Sequence, residues 1–272
     1  MQVPGLGFSK GVVYQRDVGL LKQYNDHIFK LVHMHIMRAP GFESRDPPKK
    51  VPRSKGHEVK KLDESLSRSR RTIFELALCN PWTYFVTLTI NGERHNRHDL
   101  HGTYKRLSKW LNNYNTRQGT AVRYLLVPEP HQDGAWHFHG LMSGLSPPHL
   151  TPFTLRDFIP QRLKDMLREG RVLYNWPAYA NAFGFVSLEA IRDPDCCAGY
   201  MTKYITKDLQ QSSIELNHHL YYCSKGLQRA QLIFQGQIVQ PIEDPDFENE
   251  YLSIKQFSRL EEALPYFCDK EC

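Results

Sequence analysis

Two histidines, His137 and His139, lie one residue apart inside the apolar run Trp136–Met142. Such a run is typical of a buried β-strand, which sends alternate side chains to the same face, so both imidazoles are expected to point the same way. A lone histidine on an apolar strand is usually a core residue that is already hydrogen-bonded. Two that share a face supply half of a metal site. This strand therefore predicts a sheet that carries a candidate metal site.

The third ligand is predicted from hairpin geometry. Asp133-Gly134 is a strong hairpin signal, and Arg123–Glu129 is the expected antiparallel partner of the histidine strand. Glu129 lies eight residues before His137, so the two side chains can face each other across the hairpin. A carboxylate and two imidazoles with open positions suit Mn²⁺ or Mg²⁺. A tetrahedral zinc site is less natural, because no cysteine is close in sequence.

A second candidate group lies on the helix expected over Asp195–Leu209. At about 100° per residue, two phenols and two ammonium groups fall in one arc beside the apolar stripe. They are Tyr200, Lys203, Tyr204 and Lys207. A tyrosine is a weak nucleophile unless neighbouring cations favour its phenolate, as these lysines would. The alternative is that two amphipathic tyrosines pack beside solvated lysines.

The rest of the chain alternates strands with helices. We predict strands over Trp82–Ile90, Arg123–Val127, Trp136–Ser143, Phe183–Ile191 and Gln231–Ile238. We predict helices over Asp26–Met37, Ser65–Leu78, Asp99–Tyr114, Thr154–Arg168, Asp195–Leu209 and Ile254–Leu264. Interleaved elements around antiparallel pairs indicate an α+β fold with one central antiparallel sheet flanked by helices.

The net charge of +6 is concentrated in one segment. Residues 45–72 hold ten Lys/Arg against four Asp/Glu, which equals the whole net charge. Such a run indicates a polyanion partner or, alternatively, a solvated linker. The candidate DNA-binding residues are Lys49, Lys50, Arg53, Lys55, Lys60, Lys61, Arg68, Arg70 and Arg71. We expect a basic, partly flexible N-terminal extension over residues 1–62, a central domain over 63–230 and an acidic C-terminal extension over 231–272.

Cysteine usage and hydropathy indicate where the protein works. The six cysteines form no CxxC pair, which is typical of reduced thiols. No apolar run reaches the length of a membrane span, and the N-terminus lacks a signal pattern. We therefore expect a cytoplasmic protein with no membrane partner.

Three stretches together resemble the motifs of HUH endonucleases in order. They are Phe85–Thr89, then Glu129 with His137-Phe138-His139-Gly140, and then Tyr200 with Tyr204 and Lys207. More narrowly, the chain resembles rolling-circle replication initiators (Rep proteins) of phages and plasmids. In these proteins the histidine motif precedes the tyrosine motif, and some carry two tyrosines in the third motif.

The resemblance implies a ferredoxin-like HUH endonuclease fold and a metal-dependent transesterification in a bacterial host cell. A tyrosine would attack a phosphate of single-stranded DNA at a replication origin. The products would be a 5′-phosphotyrosine link and a free 3′-hydroxyl, and the second tyrosine would serve the next transfer. No GxxxxGK[ST] phosphate loop is present, so a host helicase and a host DNA polymerase are expected partners.

Alternative functions remain. A single-strand transposase has the same chemical groups but usually uses one tyrosine and a dimer. A non-catalytic DNA-binding protein that controls replication would need neither the ligands nor the nucleophiles. A structural zinc protein would need cysteine ligands that are missing near the histidines.

Overall fold

The structure is a computed structural model that describes residues 14–39, 55–193, 197–199, 201 and 219–267, with only the backbone for residues 55–64. It divides into two units. One holds residues 55–228, and the other holds the described parts of the flanking segments, 14–39 and 229–267. Antiparallel sheets and helices make up both the sequence-predicted and the observed fold, so the α+β class is confirmed. The arrangement is compatible with a ferredoxin-like HUH fold.

The strands of the described residues are β1 Tyr14–Asn25, β2 Ile28–Arg38, β3 Tyr84–Thr89, β4 Arg123–Pro130, β5 Trp136–Ser143, β6 Thr151–Pro152, β7 Leu173–Asn175, β8 Val186–Ala190, β9 Tyr222–Cys223, β10 Gln231–Gln237, β11 Phe247–Glu248 and β12 Leu252–Phe257. The helices whose full bounds are described are α1 Lys55–Cys79, α2 Leu100–Gln118, α3 Gln161–Arg168, α4 Pro177–Ala182 and α5 Leu260–Ala263. Pro147–His149 and Leu264–Tyr266 form 3₁₀ turns.

The central sheet of residues 55–228 has seven strands in the order β6-β7-β8-β3-β5-β4-β9. The histidine strand β5 therefore lies between β3 and β4. Its neighbours approach closely at Gly140, where an added Cβ would lie 2.2 Å from the carbonyl oxygen of Leu125. A glycine there allows the two backbones to meet without a clash. This packing fixes the register of the strands that carry the candidate ligands.

One face of this sheet is the main hydrophobic core. Leu88 and Phe138 have no exposed surface, and they belong to the same buried cluster as Leu107 and Leu111 of α2. The helix starts where the Asp99 carboxylate accepts a hydrogen bond from the Gly102 N–H, 2.8 Å away. Since the pleat alternates, the opposite face carries the residues next to these core positions. That opposite face holds the histidines.

The other unit is a five-stranded sheet in the order β10-β1-β2-β12-β11. Leu21, Phe29, Leu31 and Phe257 are buried on one of its faces. The sequence treats its two segments as separate extensions, whereas in the structure they contribute strands to one sheet. The predicted helix over Asp26–Met37 is wrong, because these residues form the turn into β2 and most of β2 itself.

Two further helix predictions need correction. The helix predicted over Thr154–Arg168 starts only at Gln161, after Pro160, and the residues before it form a loop. Ile254–Leu264 begins in β12, and only Leu260–Ala263 is helical before the 3₁₀ turn. In the helix predicted over Asp195–Leu209, the described residues Cys197–Gly199 and Met201 are helical.

Candidate metal centre

The β4–β5 hairpin positions the three predicted ligands. Register places Glu129 directly opposite His137, and His139 follows on the same face of β5. The turn is tight because Gly134 adopts a φ of 77° and its N–H donates to the His131 carbonyl. The Asp133 carboxylate accepts from the Ala135 N–H at 3.0 Å and pairs with Arg97. The ligand positions are therefore set by local hairpin geometry.

Three ligand atoms converge on this face. The Oε2 atom of Glu129 lies 2.9 Å from Nε2 of His137 and 2.6 Å from Nε2 of His139. The two Nε2 atoms are 2.8 Å apart. Among the described residues this is the one group of three or more His, Cys, Asp or Glu side chains with the spacing to hold a metal ion. The sequence grouping of these residues is thus also a spatial grouping.

Protons alone satisfy this triangle poorly. Each of its three short contacts needs a hydrogen between two atoms with lone pairs, but each Nε2 atom carries at most one hydrogen and the carboxylate carries none. A cation shared by all three atoms satisfies them together. The edges of 2.6–2.9 Å are also nearer to the about 2.9 Å between neighbouring ligands of an octahedral ion with bonds of about 2.0–2.1 Å than to the about 3.3 Å of a tetrahedral one. The donor set therefore fits a small divalent ion.

A neighbouring strand orients one imidazole. The Oγ1 atom of Thr87 on β3 lies 3.1 Å from Nδ1 of His139, directly across the β3–β5 ladder. When Nδ1–H donates to this hydroxyl, Nε2 is left with a lone pair for the ion. Nδ1 of His137 is buried and has no hydrogen-bond partner among the described residues. The His131 ring packs against His137 at 4.1 Å between centroids, so it lies beside the triad without joining it.

The environment keeps His139 in its metal-binding form. Burial lowers the pKa of His139, and the nearby charges of His137 and Arg162 lower it further against the opposing effect of Glu129. Burial also lowers the pKa of His131. An imidazole with a lowered pKa is neutral at pH 7, and a neutral imidazole is the form that binds a metal.

The structure describes only some of the other candidate residues. Tyr200, Lys203, Tyr204 and Lys207 lie outside the described residues, as do Lys49, Lys50 and Arg53. The backbone of Lys55, Lys60 and Lys61 belongs to α1. Arg68 and Arg71 are exposed on the same helix. Two buried guanidinium nitrogens of Arg70 have no hydrogen-bond partner among the described residues, so Arg70 is the member of this group most in need of an anion.

Sequence reasoning did not single out Thr87 or Arg162. Thr87 stands in a predicted strand, and its strand parity is the signal that the sequence offers. Its contact with His139 depends on the β3–β5 register, which no short-range pattern gives. Arg162 belongs to a helix whose packing against the sheet is a long-range property of the fold.

Residues 83–209 match the family model of the replication-associated protein ORF2 family. The matched segment contains Glu129, His137 and His139, and it ends after Tyr204 and Lys207. This match supports a Rep-type replication initiator. Neither a curated protein nor a solved structure matches the chain. Among the described residues, no helix is both long enough and apolar enough to cross a membrane.

Proposed function

We propose that the protein initiates rolling-circle DNA replication by nicking and rejoining single-stranded origin DNA through a tyrosine. The carrying observation is the Glu129–His137–His139 triangle inside a segment that matches the replication-associated family. A divalent ion held by these three residues, Mn²⁺ or Mg²⁺, would polarise a phosphate oxygen and balance its charge. The two imidazoles favour Mn²⁺ of the pair.

The proposed chemistry exchanges one phosphate ester for another. Tyr200 or Tyr204 loses its phenolic proton and its oxygen attacks the scissile phosphorus, with Lys203 and Lys207 favouring the phenolate. The bond from phosphorus to the 3′ oxygen breaks, and that oxygen takes up a proton to become a 3′-hydroxyl that can prime synthesis. The 5′ phosphate remains on the tyrosine, so the bond energy is kept for rejoining. The second tyrosine would accept the strand in the following transfer.

The protein's described residues have separate tasks in this proposal. Glu129, His137 and His139 bind the ion, and Thr87 holds the tautomer of His139. The basic residues from Lys49 to Arg71 would bind the DNA backbone, with Arg70 as a guanidinium that has two buried nitrogens to satisfy. Strand opening and extension would come from a host helicase and a host DNA polymerase in the cytoplasm of a bacterial cell.

A denaturing gel tests the proposal. The purified protein is incubated with 5′- and 3′-labelled single-stranded oligonucleotides from a random pool, with Mn²⁺ or with EDTA. We expect a slower protein band that carries the label on the 3′ side of the cut, present with Mn²⁺ and absent with EDTA. The double variant Tyr200→Phe/Tyr204→Phe should form no adduct while it still binds DNA, and Tyr14→Phe in the other unit is the matched control.

Other results would favour the alternatives. DNA binding without any adduct would favour a replication-control protein that does not cut. An adduct that survives the double Phe substitution would refute the tyrosine mechanism. Full strand transfer by a dimer with one tyrosine removed would favour a single-strand transposase.

A further inference from the structure

A cavity adjoins the metal centre on the same face of the central sheet. It has a volume of about 230 Å³ and lies between α3 and strands β3 and β8, with His139 in its lining. This volume is below the range of about 300–1,000 Å³ that is typical of sites for drug-sized ligands. It therefore suits one small planar group next to the ligand triad.

The cavity presents aromatic surface. Phe85 and Phe185 both contribute to the lining, and Phe185 is 38% exposed although it is a large apolar side chain. The Phe185 ring is held by stacking on Phe153, with 6.1 Å between centroids and 24° between planes. A ring that is fixed on one side and open on the other is a platform for a nucleobase, since every base has a π-face.

The cavity also has a cation without a partner. Arg162 of α3 is in the lining, is exposed, and has no carboxylate within salt-bridge distance among the described residues. Nearby arginines differ in this respect. Arg168 pairs with Asp165 at 2.6 Å, and Arg171 pairs with Glu189. Arg162 is therefore the guanidinium at this cavity that remains available to a phosphate.

The floor of the cavity carries a hydroxyl that is not used by the fold. Ser187 lies opposite Thr87 on the β3–β8 ladder and is only 9% exposed. Its hydroxyl has no hydrogen-bond partner among the described residues, whereas the Thr87 hydroxyl bonds to His139. A hydroxyl can donate or accept, so Ser187 can bind the polar edge of a base.

We infer that this cavity binds the nucleotide beside the phosphate that is cut. The base would stack on Phe185 with its edge at Ser187, and a backbone phosphate would pair with Arg162. The inference rests on the proposed function, because it takes the ligand to be the same single-stranded DNA. It adds that the cavity selects the base at one position, so that cutting depends on that base.

Binding without cleavage tests the cavity directly. The probe is a fluorescein-labelled pool of random single-stranded 12-mers, measured by anisotropy with the full chain in EDTA. Phe185→Leu keeps the apolar volume but loses the π-face, and we expect it to weaken binding by about fivefold or more. Phe185→Tyr should bind within about twofold of the parent, because it keeps the π-face. Urea unfolding midpoints confirm that both variants fold.

Salt dependence tests the phosphate contact. Each phosphate contact on a single strand adds about 0.7 to the slope of log K against log salt. Arg162→Gln should lower the slope by about that amount. Arg168→Gln, the matched control with the same charge change on the same helix, should leave the slope unchanged.

Photocrosslinking identifies the residue that stacks. With 5-iododeoxyuridine in the 12-mers, we expect the crosslinked peptide to contain Phe185 or Phe85. Crosslinks elsewhere, or DNA binding that is unchanged in both Phe185→Leu and Arg162→Gln, would overturn the inference. If the parent chain forms a tyrosyl adduct in that case, the proposed function stands and only the cavity assignment fails.

The reverse failure is also distinguishable. If the variants weaken binding as expected but the parent forms no adduct with Mn²⁺, the cavity binds DNA and the proposed chemistry is wrong. If the parent binds no single-stranded DNA, both proposals are wrong.

Discussion

Replacing Thr87 by valine should weaken metal binding although Thr87 is not a ligand. Its Oγ1 atom lies 3.1 Å from Nδ1 of His139 and accepts the proton that keeps Nε2 free. Valine has nearly the same shape but takes that oxygen away. The other tautomer of His139 places its hydrogen on Nε2, where it blocks the ion, so Thr87→Val should favour a form that cannot bind metal.

Two estimates give the size of this effect. Loss of a partner that orients a ligand typically costs tenfold to a hundredfold in metal affinity. That range corresponds to about 1.4–2.7 kcal/mol. A buried donor that loses an acceptor costs about 1–3 kcal/mol. The two ranges overlap, so we expect the Kd for Mn²⁺ to rise by about tenfold to a hundredfold.

The assay is a titration with Mn²⁺ at pH 7.5, in which the EPR signal of the free ion gives the Kd. Thr87→Ser is the control, because serine restores the hydroxyl and loses only a methyl group. We expect Thr87→Ser to bind within about threefold of the parent, since it keeps the acceptor. A Thr87→Val variant that folds normally and binds Mn²⁺ as tightly as the parent would refute the argument that this hydroxyl sets the tautomer.

Three further predictions follow from the fold and the site. Glu129→Gln should abolish Mn²⁺ binding and should also remove the stabilisation of about 2.7 kcal/mol that the ion gives to the parent at 100 times its Kd, as measured by urea unfolding with Mn²⁺ against EDTA. Gly140→Ala should destabilise the chain by about 1–3 kcal/mol and weaken Mn²⁺ binding, because its Cβ would clash with the Leu125 carbonyl, whereas Gly170→Ala on an open turn should leave the Mn²⁺ affinity unchanged. Burial raises the pKa of Tyr222 to about 12, while a phenol in the unfolded chain ionises near 10; the stability from this buried phenol is complete below about pH 10 and is lost as the pH rises toward 12, so Tyr222→Phe should shrink the fall in urea midpoint over that window.

The metal hairpin could be predicted because its determinants are local. Asp133-Gly134 selects a tight turn, and the apolar run on each side has the period of a strand. Once the turn is fixed, the register follows, and it places Glu129 opposite His137. A shift of one residue would move every ligand to the other face, so the pairing has one solution that also buries Phe138.

The β1–β2 hairpin could not be placed in the same way. Phe29, Leu31 and His33 are buried and alternate with less buried residues, which is the period of a strand. The alternation is obscured in the sequence because the residues between them are also largely apolar. The partners of these strands, β10 and β12, lie about 200 positions further along the chain. Pairing over that separation is decided by tertiary contacts that override local propensity.

Residues that act through neighbouring strands were missed for the same reason. Thr87 and Ser187 stand opposite each other on β3 and β8, and Thr87 also stands opposite His139. These relations exist only after three strands have assembled. Residues from a single hairpin can be inferred from spacing, whereas a lining residue such as Arg162 requires the folded sheet and the helix that covers it.

Metal binding and nucleophilic attack should be separable in this protein. All three ligand atoms come from one hairpin and converge without help from the tyrosine segment. Tyr200→Phe/Tyr204→Phe should therefore bind Mn²⁺ with a Kd within about twofold of the parent while it forms no DNA adduct, because it keeps every ligand and loses both nucleophiles. Glu129→Gln should lose both properties. If the double Phe variant instead lost its Mn²⁺ affinity, a phenol would belong to the ligand set, and the site would have to be assembled by the helix as well as by the hairpin.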